Sequence, residues 1–168
     1  MARHNPVFSG SIDYWAFLVE KTGAKLEDVV VCGHKVLPMI RKDYFLKVLQ
    51  QLTQVIARAL QLSHSGNAKA ALELLDEQYQ KQLQEQSEIL AGRSVAALAS
   101  QYDEGQLTLL ADLLTAEGEI LLDAAKAKAA RVRLSKALAL FQYLNQVQQV
   151  FDFEREGKMQ RIREWLET

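Results

Sequence analysis

The stretch Tyr44-Phe45-Leu46-Lys47-Val48-Leu49-Gln50-Gln51-Leu52-Thr53-Gln54-Val55-Ile56-Ala57-Arg58-Ala59-Leu60 decides the fold class. Its apolar residues return every three or four positions, the spacing that lays one stripe along an α-helix rather than alternating across a strand. Working outward, Ser63-His64-Ser65-Gly66-Asn67 reads as a turn: Gly66 is free to adopt the left-handed conformation, and Asn67 is suited to cap a second helix. That second helix carries Ala71, Leu72, Leu75, Tyr79 and Leu83 on one side, with Gln78, Gln80, Gln82, Gln84 and Gln86 on the other. The pattern lapses at Ala91-Gly92-Arg93, Ser94 is placed to cap a short helix to about Tyr102, and Gly105 reads as another break. Helices are then expected from about Gln106 to Leu121, from about Ala125 to Phe151, and from Glu154 to Leu166 with Gly157 weakening the last joint. The expected fold is all-α, with about five helices in antiparallel hairpins forming an irregular bundle or short solenoid.

Both prolines, Pro6 and Pro38, the sole cysteine, Cys32, and two of the three histidines, His4 and His34, lie in the first 38 residues. From residue 39 onward the chain has no proline, which uninterrupted helices need, since an interior proline costs about 3 kcal/mol. The expected domain therefore runs over 39–168. Residues 1–38 are read two ways: as the product of a start assigned too far upstream, or as an extension that docks through Tyr14, Trp15, Phe17 and Leu18. The extension carries one amphipathic segment, Asp13 to Glu20, and the β-like run Val29 to Cys32, which has no strand to pair with.

Composition removes several function classes. Twenty Lys+Arg against twenty-one Asp+Glu leave a net charge of −1, giving no global attraction to nucleic acid or anionic membrane. One cysteine excludes an intramolecular disulfide and a multi-thiolate zinc site. No apolar run approaches the ~18 residues of a membrane span, and the N-terminus lacks a signal-peptide pattern, so a cytoplasmic protein is expected.

Gly66-Asn67-Ala68-Lys69-Ala70-Ala71-Leu72-Glu73-Leu74-Leu75 resembles the middle of a tetratricopeptide repeat (TPR). Gly66, Ala71 and Leu75 take the roles of turn glycine, small helix-B residue and large gap-filler, and Ala59 replaces the small glycine of helix A. Gln78 departs from the pattern where the repeat has a second alanine. A second hairpin fits better, with Gly118 as the helix-A glycine, Leu121 at the aromatic site, and Ala130, Leu134 and Ala137 on helix B. Small residues in these places admit a neighbouring backbone and a large one fills the space between. Ala71 and Ala130 are too far apart for a regular ~34-residue repeat, so two hairpins around an irregular insert are implied. Met39-Ile40-Arg41-Lys42-Asp43-Tyr44, with the helix behind it, is similar to the opening of an uncharacterised bacterial family of TPR-like helical proteins. That resemblance covers 39 to about 150, favours a start at Met39, and implies no reaction, cofactor or catalytic residue.

Candidate chemistry is sparse. Cys32-Gly33-His34 sets a thiol near an imidazole, but no third group orients the pair. His64 is expected to be a solvated turn residue. Asp112, Glu117, Glu119 and Asp123 lack the Glu-x-x-His pairs of helical di-metal sites and read as a solvated acidic edge. At ~100° per residue, Lys126, Lys128, Arg131, Arg133 and Lys136 scatter around their helix instead of forming a nucleic-acid stripe. No catalytic residue, metal or cofactor is expected.

That same helix carries two apolar faces. Ala127, Ala130, Leu134, Ala137, Leu138, Phe141 and Leu144 form one; Val132, Ala139, Leu140, Tyr143, Val147 and Val150 form the other. A hairpin needs only one. Either the C-terminal Met159, Ile162, Trp165 and Leu166, or another helix of this chain, covers the second face, or it is an interface to a partner or to a second copy. The expected function is a non-enzymatic protein–protein interaction module recognising a protein or peptide, with no nucleic acid or membrane involved. The alternatives are a structural homodimer or oligomer, and a small-ligand binder or enzyme with an unidentified pocket.

Overall fold

The computed structural model describes residues 36–167, with side chains from 43 onward. The expectations for Cys32, His34 and the docking aromatics of the extension fall outside the described residues. The chain divides into two units, Met1–Tyr44 and Phe45–Thr168; of the first, the described part is the opening of a helix, and the helical architecture belongs to the second.

Seven α-helices and no strand occur among the described residues: α1 Val36–His64, α2 Ala68–Leu83, α3 Ser87–Gly92, α4 Val95–Gln101, α5 Glu104–Asp123, α6 Ala127–Gln148 and α7 Phe153–Glu167. The all-α expectation holds, with seven helices rather than about five. α1 begins ahead of Met39, so Pro38 sits in its first turn, where the missing N–H removes no intrahelical bond. The unforeseen helix is α3, six residues long, too short to display a period; it buries Ser87, Leu90 and Ala91. Ser94 caps α4 as expected, accepting from the Ala97 N–H.

Gly105 is not a break. α5 starts one residue earlier, capped by Asp103, whose side chain accepts from the Gln106 N–H while the Gln106 side chain accepts from the Asp103 N–H. Gly105 is instead a close approach: a Cβ there would lie 2.7 Å from the Phe45 ring. Gly157 likewise lies inside α7 and does not mark a joint.

α5 is the axis of the fold. Leu107, Leu109, Leu110, Leu113, Leu114, Ile120 and Leu121 are buried over a broad face, and the opposite stripe of Thr108, Asp112, Thr115, Glu119 and Leu122 is half-buried. Phe45 meets its first turn, and Ser63 Oγ donates to Asp123 Oδ2 (2.8 Å) at its last, so α1 runs parallel to α5. α2 and α6 run antiparallel to it, each joined to the preceding long helix of its hairpin by a tight turn. α7 returns antiparallel along α6, where Asn145 meets Met159 and Arg155 meets Asn145 and Gln148. Two hairpins, α1–α2 and α5–α6, thus lie in the same sense, with the short α3 and α4 between them in sequence.

The two hairpin turns share one bonding pattern. In the first, Gly66 N–H donates to Ser63 O and Asn67 N–H to Leu62 O; in the second, Ala125 N–H donates to Leu122 O and Lys126 N–H to Leu121 O. Both bonds close the Schellman arrangement around a left-handed residue. That residue is Gly66 at φ 86° in one turn and Ala125 at φ 56° in the other. Within the second hairpin the helices come very close, because a Cβ on Gly118 would stand 2.5 Å from Leu134 Cδ2.

Candidate functional site

The acidic edge expected along α5 is solvated only in part: Asp123 is exposed and Glu119 half-buried, while Glu117 and Asp112 are drawn inward by cations from other helices. Glu117 is buried, accepting from Tyr79 Oη at 2.9 Å on one oxygen and from Arg133 Nε at 2.8 Å on the other. Ser87 Oγ lies 3.2 Å from the same Oε1, and Arg133 Nη2 reaches out to Glu88 at 3.2 Å. The cluster joins α2, α3, α5 and α6. Burial, and then the Glu117 charge, push the Tyr79 hydroxyl well above its ordinary value. Tyr79, Ser87 and Arg133 all donate within the cluster, and Tyr79 is shut from solvent.

Asp112 pairs with Lys158 at 2.9 Å, and Lys158 with Glu154 at 3.0 Å. Burial raises the Asp112 carboxyl above its usual range, with the Lys158 charge pulling the other way. For Lys158, burial acts to lower the value, but the attraction of Asp112 and Glu154 outweighs it and the ammonium is held above its usual range. These groups edge a cleft of about 250 Å³ over Leu49 and Phe141. Arg155, also on its wall, is committed to Asn145, Gln148 and Asp152. Glu119 is half-buried, its carboxyl raised by that burial.

Ser63, His64 and Asp123 bring together three residue types familiar from hydrolases, with the wrong connections. Ser63 gives its proton to Asp123, and His64 Nε2 lies 3.5 Å from the same carboxylate oxygen. A nucleophile needs the imidazole between the hydroxyl and the acid. His64 is largely exposed, as expected, and together these residues tie the end of α1 to the end of α5. Among the described residues no group of three or more His, Cys, Asp or Glu is disposed to hold a metal, and no helix is long and apolar enough to cross a membrane.

The outward side of α6 is different. Of the first apolar face, Ala130, Leu134, Ala137, Phe141 and Leu144 are buried as expected, while Ala127 is exposed. Of the second, Leu140 is fully buried and belongs to the core, which removes it from any interface. Its position puts it on the flank nearest the Arg133 side of the helix, close enough to the core stripe to be covered. Ala139 and Tyr143 are half-buried. Val132 and Val147 keep 50% and 45% of their surface, so the described helices leave them partly uncovered, while Val150, at 64%, lies beyond the left-handed Gln149 that ends α6 and is not on its face, contrary to expectation. Met159 and Ile162 of α7 are buried, but α7 packs along the Asn145 side of α6, on another face from Val132.

The basic residues of α6 also part company. Arg133 turns in to Glu117, and the Lys136 ammonium donates to the Arg93 carbonyl oxygen. Arg93 itself is clamped by Glu85 at 2.8 Å and Gln101 at 2.7 Å, which fixes α3 and α4 against α6. Between α3 and α6 an open groove of about 400 Å³ is lined by Ala91, Arg131, Val132, Ser135, Lys136 and Ala139. Beyond the other end of α6, Phe151 and Phe153 stand exposed with their rings edge to face, centroids 4.7 Å apart. Sequence reading passes over this pair; the signal available is two phenylalanines flanking Asp152, outside either helix's apolar stripe.

No family model, curated protein or solved structure matches the chain.

Proposed function

We propose that this protein is a non-enzymatic, cytoplasmic protein–protein interaction module built of TPR-like hairpins, similar to the family that opens Met-Ile-Arg-(Arg/Lys)-Asp-Tyr. The reading of the hairpins is supported by their shared turn bonding and by Ala59, Ala71, Gly118 and Ala130 at matching places. The function rests on one observation. α6 carries Val132 and Val147 outward around Ala139 and Tyr143, an apolar stripe that the described residues leave open. A patch of that kind gains free energy only when a partner covers it. The polar clusters favour the same reading, since their charged groups are spent on one another.

The test is site-specific photo-crosslinking. A photoreactive phenylalanine analogue at position 132 or 147 is expected to capture one and the same partner in cells, and the analogue at Ser100, exposed on α4, is not. Equal capture at all three positions, or none at 132 and 147, removes the interaction reading. A homo-oligomer through the same face is the second reading. Val132 and Val147 lie on either side of Ala139 at nearly equal separation, so two antiparallel copies of α6 crossing there would set Val132 of one against Val147 of the other. A crosslinked product of twice the chain mass identifies that case.

A further inference from the structure

We propose that the groove between α3 and α6 receives an acidic, apolar-centred segment of the partner; this deepens the interaction reading above and rests on it. The floor consists of Ala91, Val132, Ser135 and Ala139, small side chains that let a visiting chain approach closely. The rim is cationic. Arg131 and Lys136 line it, and Lys128, one turn earlier on α6, extends it. Arg131 and Lys128 are exposed and have no ion-pair partner among the described residues. α6 contains no Asp or Glu anywhere in Ala127–Gln148; the nearby Glu88, largely exposed, leans on Arg133, which it shares with Glu117. A chain whose net charge is −1 therefore presents a local surface of the opposite sign beside an apolar floor.

That combination selects the occupant. An acidic segment with one or two apolar anchors satisfies both halves of the site, the anchors covering Val132 and Ala139 while carboxylates meet Arg131 and Lys128. A single-stranded nucleic acid fits less well, because no exposed aromatic ring lies in the groove to stack a base; Phe151 and Phe153 stand past the far end of α6. A second copy docked two-fold about the groove brings both sets of Lys128 and Arg131 toward one another, a like-charge contact that disfavours it.

The test uses the full chain and fluorescence anisotropy with three probes. These are a synthetic helix-forming peptide with a leucine stripe flanked by glutamates, the same peptide with lysines for glutamates, and a single-stranded oligouridine. The glutamate peptide is expected to bind about tenfold more tightly than the lysine peptide, and less tightly as salt is raised. The variant K128E/R131E, with both changes on exposed side chains, is expected to reverse that preference while its helical circular dichroism is unchanged. Failure of the glutamate peptide to bind, equal binding of both peptides, an unaltered preference in K128E/R131E, or oligouridine competing for the groove overturns the proposal. If it falls while positions 132 and 147 still crosslink one partner, only the acidic character is lost. If those crosslinks are absent as well, the interaction reading falls with it.

Discussion

Arg133 Nε stands 2.8 Å from Glu117 Oε1, both side chains nearly shut from water, and the bond ties α6 to α5 across the centre of the molecule. Removing one partner strands the other in a poorly hydrated place, whereas removing both does not. Arg133→Met is therefore expected to cost about 3–5 kcal/mol in urea unfolding. The double variant Arg133→Met/Glu117→Gln is expected to recover more than half of that, since Tyr79 still has an acceptor in the glutamine carbonyl. A double variant no more stable than Arg133→Met alone would mean that the pair is not one energetic unit.

Two glycines in helices are expected to respond to alanine with opposite signs. Helix propensity alone favours Ala over Gly by about 0.8–1.0 kcal/mol. At Gly157 on α7 a new Cβ meets nothing within 4 Å, so Gly157→Ala is expected to stabilise by about that amount. At Gly118 it would stand 2.5 Å from Leu134 Cδ2 and 2.6 Å from Cγ, and Leu134 is fully buried with no room to withdraw. Gly118→Ala is expected to destabilise by about 1–3 kcal/mol, and Leu134→Ala in the same chain to cancel much of the added cost. Thermal unfolding of Gly157→Ala, Gly118→Ala, Leu134→Ala and the Gly118→Ala/Leu134→Ala double variant checks this. A stabilising Gly118→Ala would show that α5 and α6 are not in close contact there.

How far this chain is legible depends on where each residue's neighbours come from. Period and capping residues are local, so the long helices, the Gly66 turn, and the caps at Asn67 and Ser94 are open to reading. The close contact at Gly118 is legible too, since it belongs to a sequence pattern of small and large residues. Gly105 reads as a break because its cause is Phe45, some sixty positions away in the chain, and only folding brings the two together. Glu117 and Asp112 read as solvated for the same reason: a carboxylate's fate depends on Arg133 and Lys158, and nothing in spacing announces which cation will arrive. Leu140 falls on the outer face by helical angle, yet it lies near enough to the core stripe for neighbouring helices to cover it. The open side of α6 is legible as a second apolar stripe. Its pairing with a groove beside α3 is not, because α3 is too short to show a period.

Tyr79 makes stability depend on pH in the alkaline range. Its hydroxyl ionises well above 10.0 in the folded chain, owing to burial and the Glu117 charge, and near 10.0 when unfolded. A raised folded value means that its contribution is whole below about pH 10 and is lost as pH climbs above it. Stability is therefore expected to fall as pH rises above about 10, and Tyr79→Phe is expected to flatten part of that fall. Lys158, raised above 10.5, acts with the same sign and accounts for a remaining slope. Urea unfolding at several pH values from about 8 to 11 measures both; a slope unchanged by Tyr79→Phe would mean that this hydroxyl is not sheltered.

The paired turns give a prediction in which one residue instructs the other. Gly66 and Ala125 occupy the same place in the same bonding pattern, but only glycine accepts a left-handed backbone without cost. For an L-residue that conformation costs roughly 1–2 kcal/mol, part of which is offset because alanine has less unfolded-chain entropy to lose. Ala125→Gly is therefore expected to stabilise by about 0.5–1 kcal/mol, the difference between those two effects. Gly66→Ala is expected to destabilise by a similar amount, and wholly through the backbone, since a Cβ there meets nothing within 4 Å. Because the two turns are remote from one another, the double exchange is expected to be additive and close to neutral. A loss of stability in Ala125→Gly would mean that the second turn does not adopt the left-handed geometry of the first, and the likeness of the two hairpins would then end at their helices.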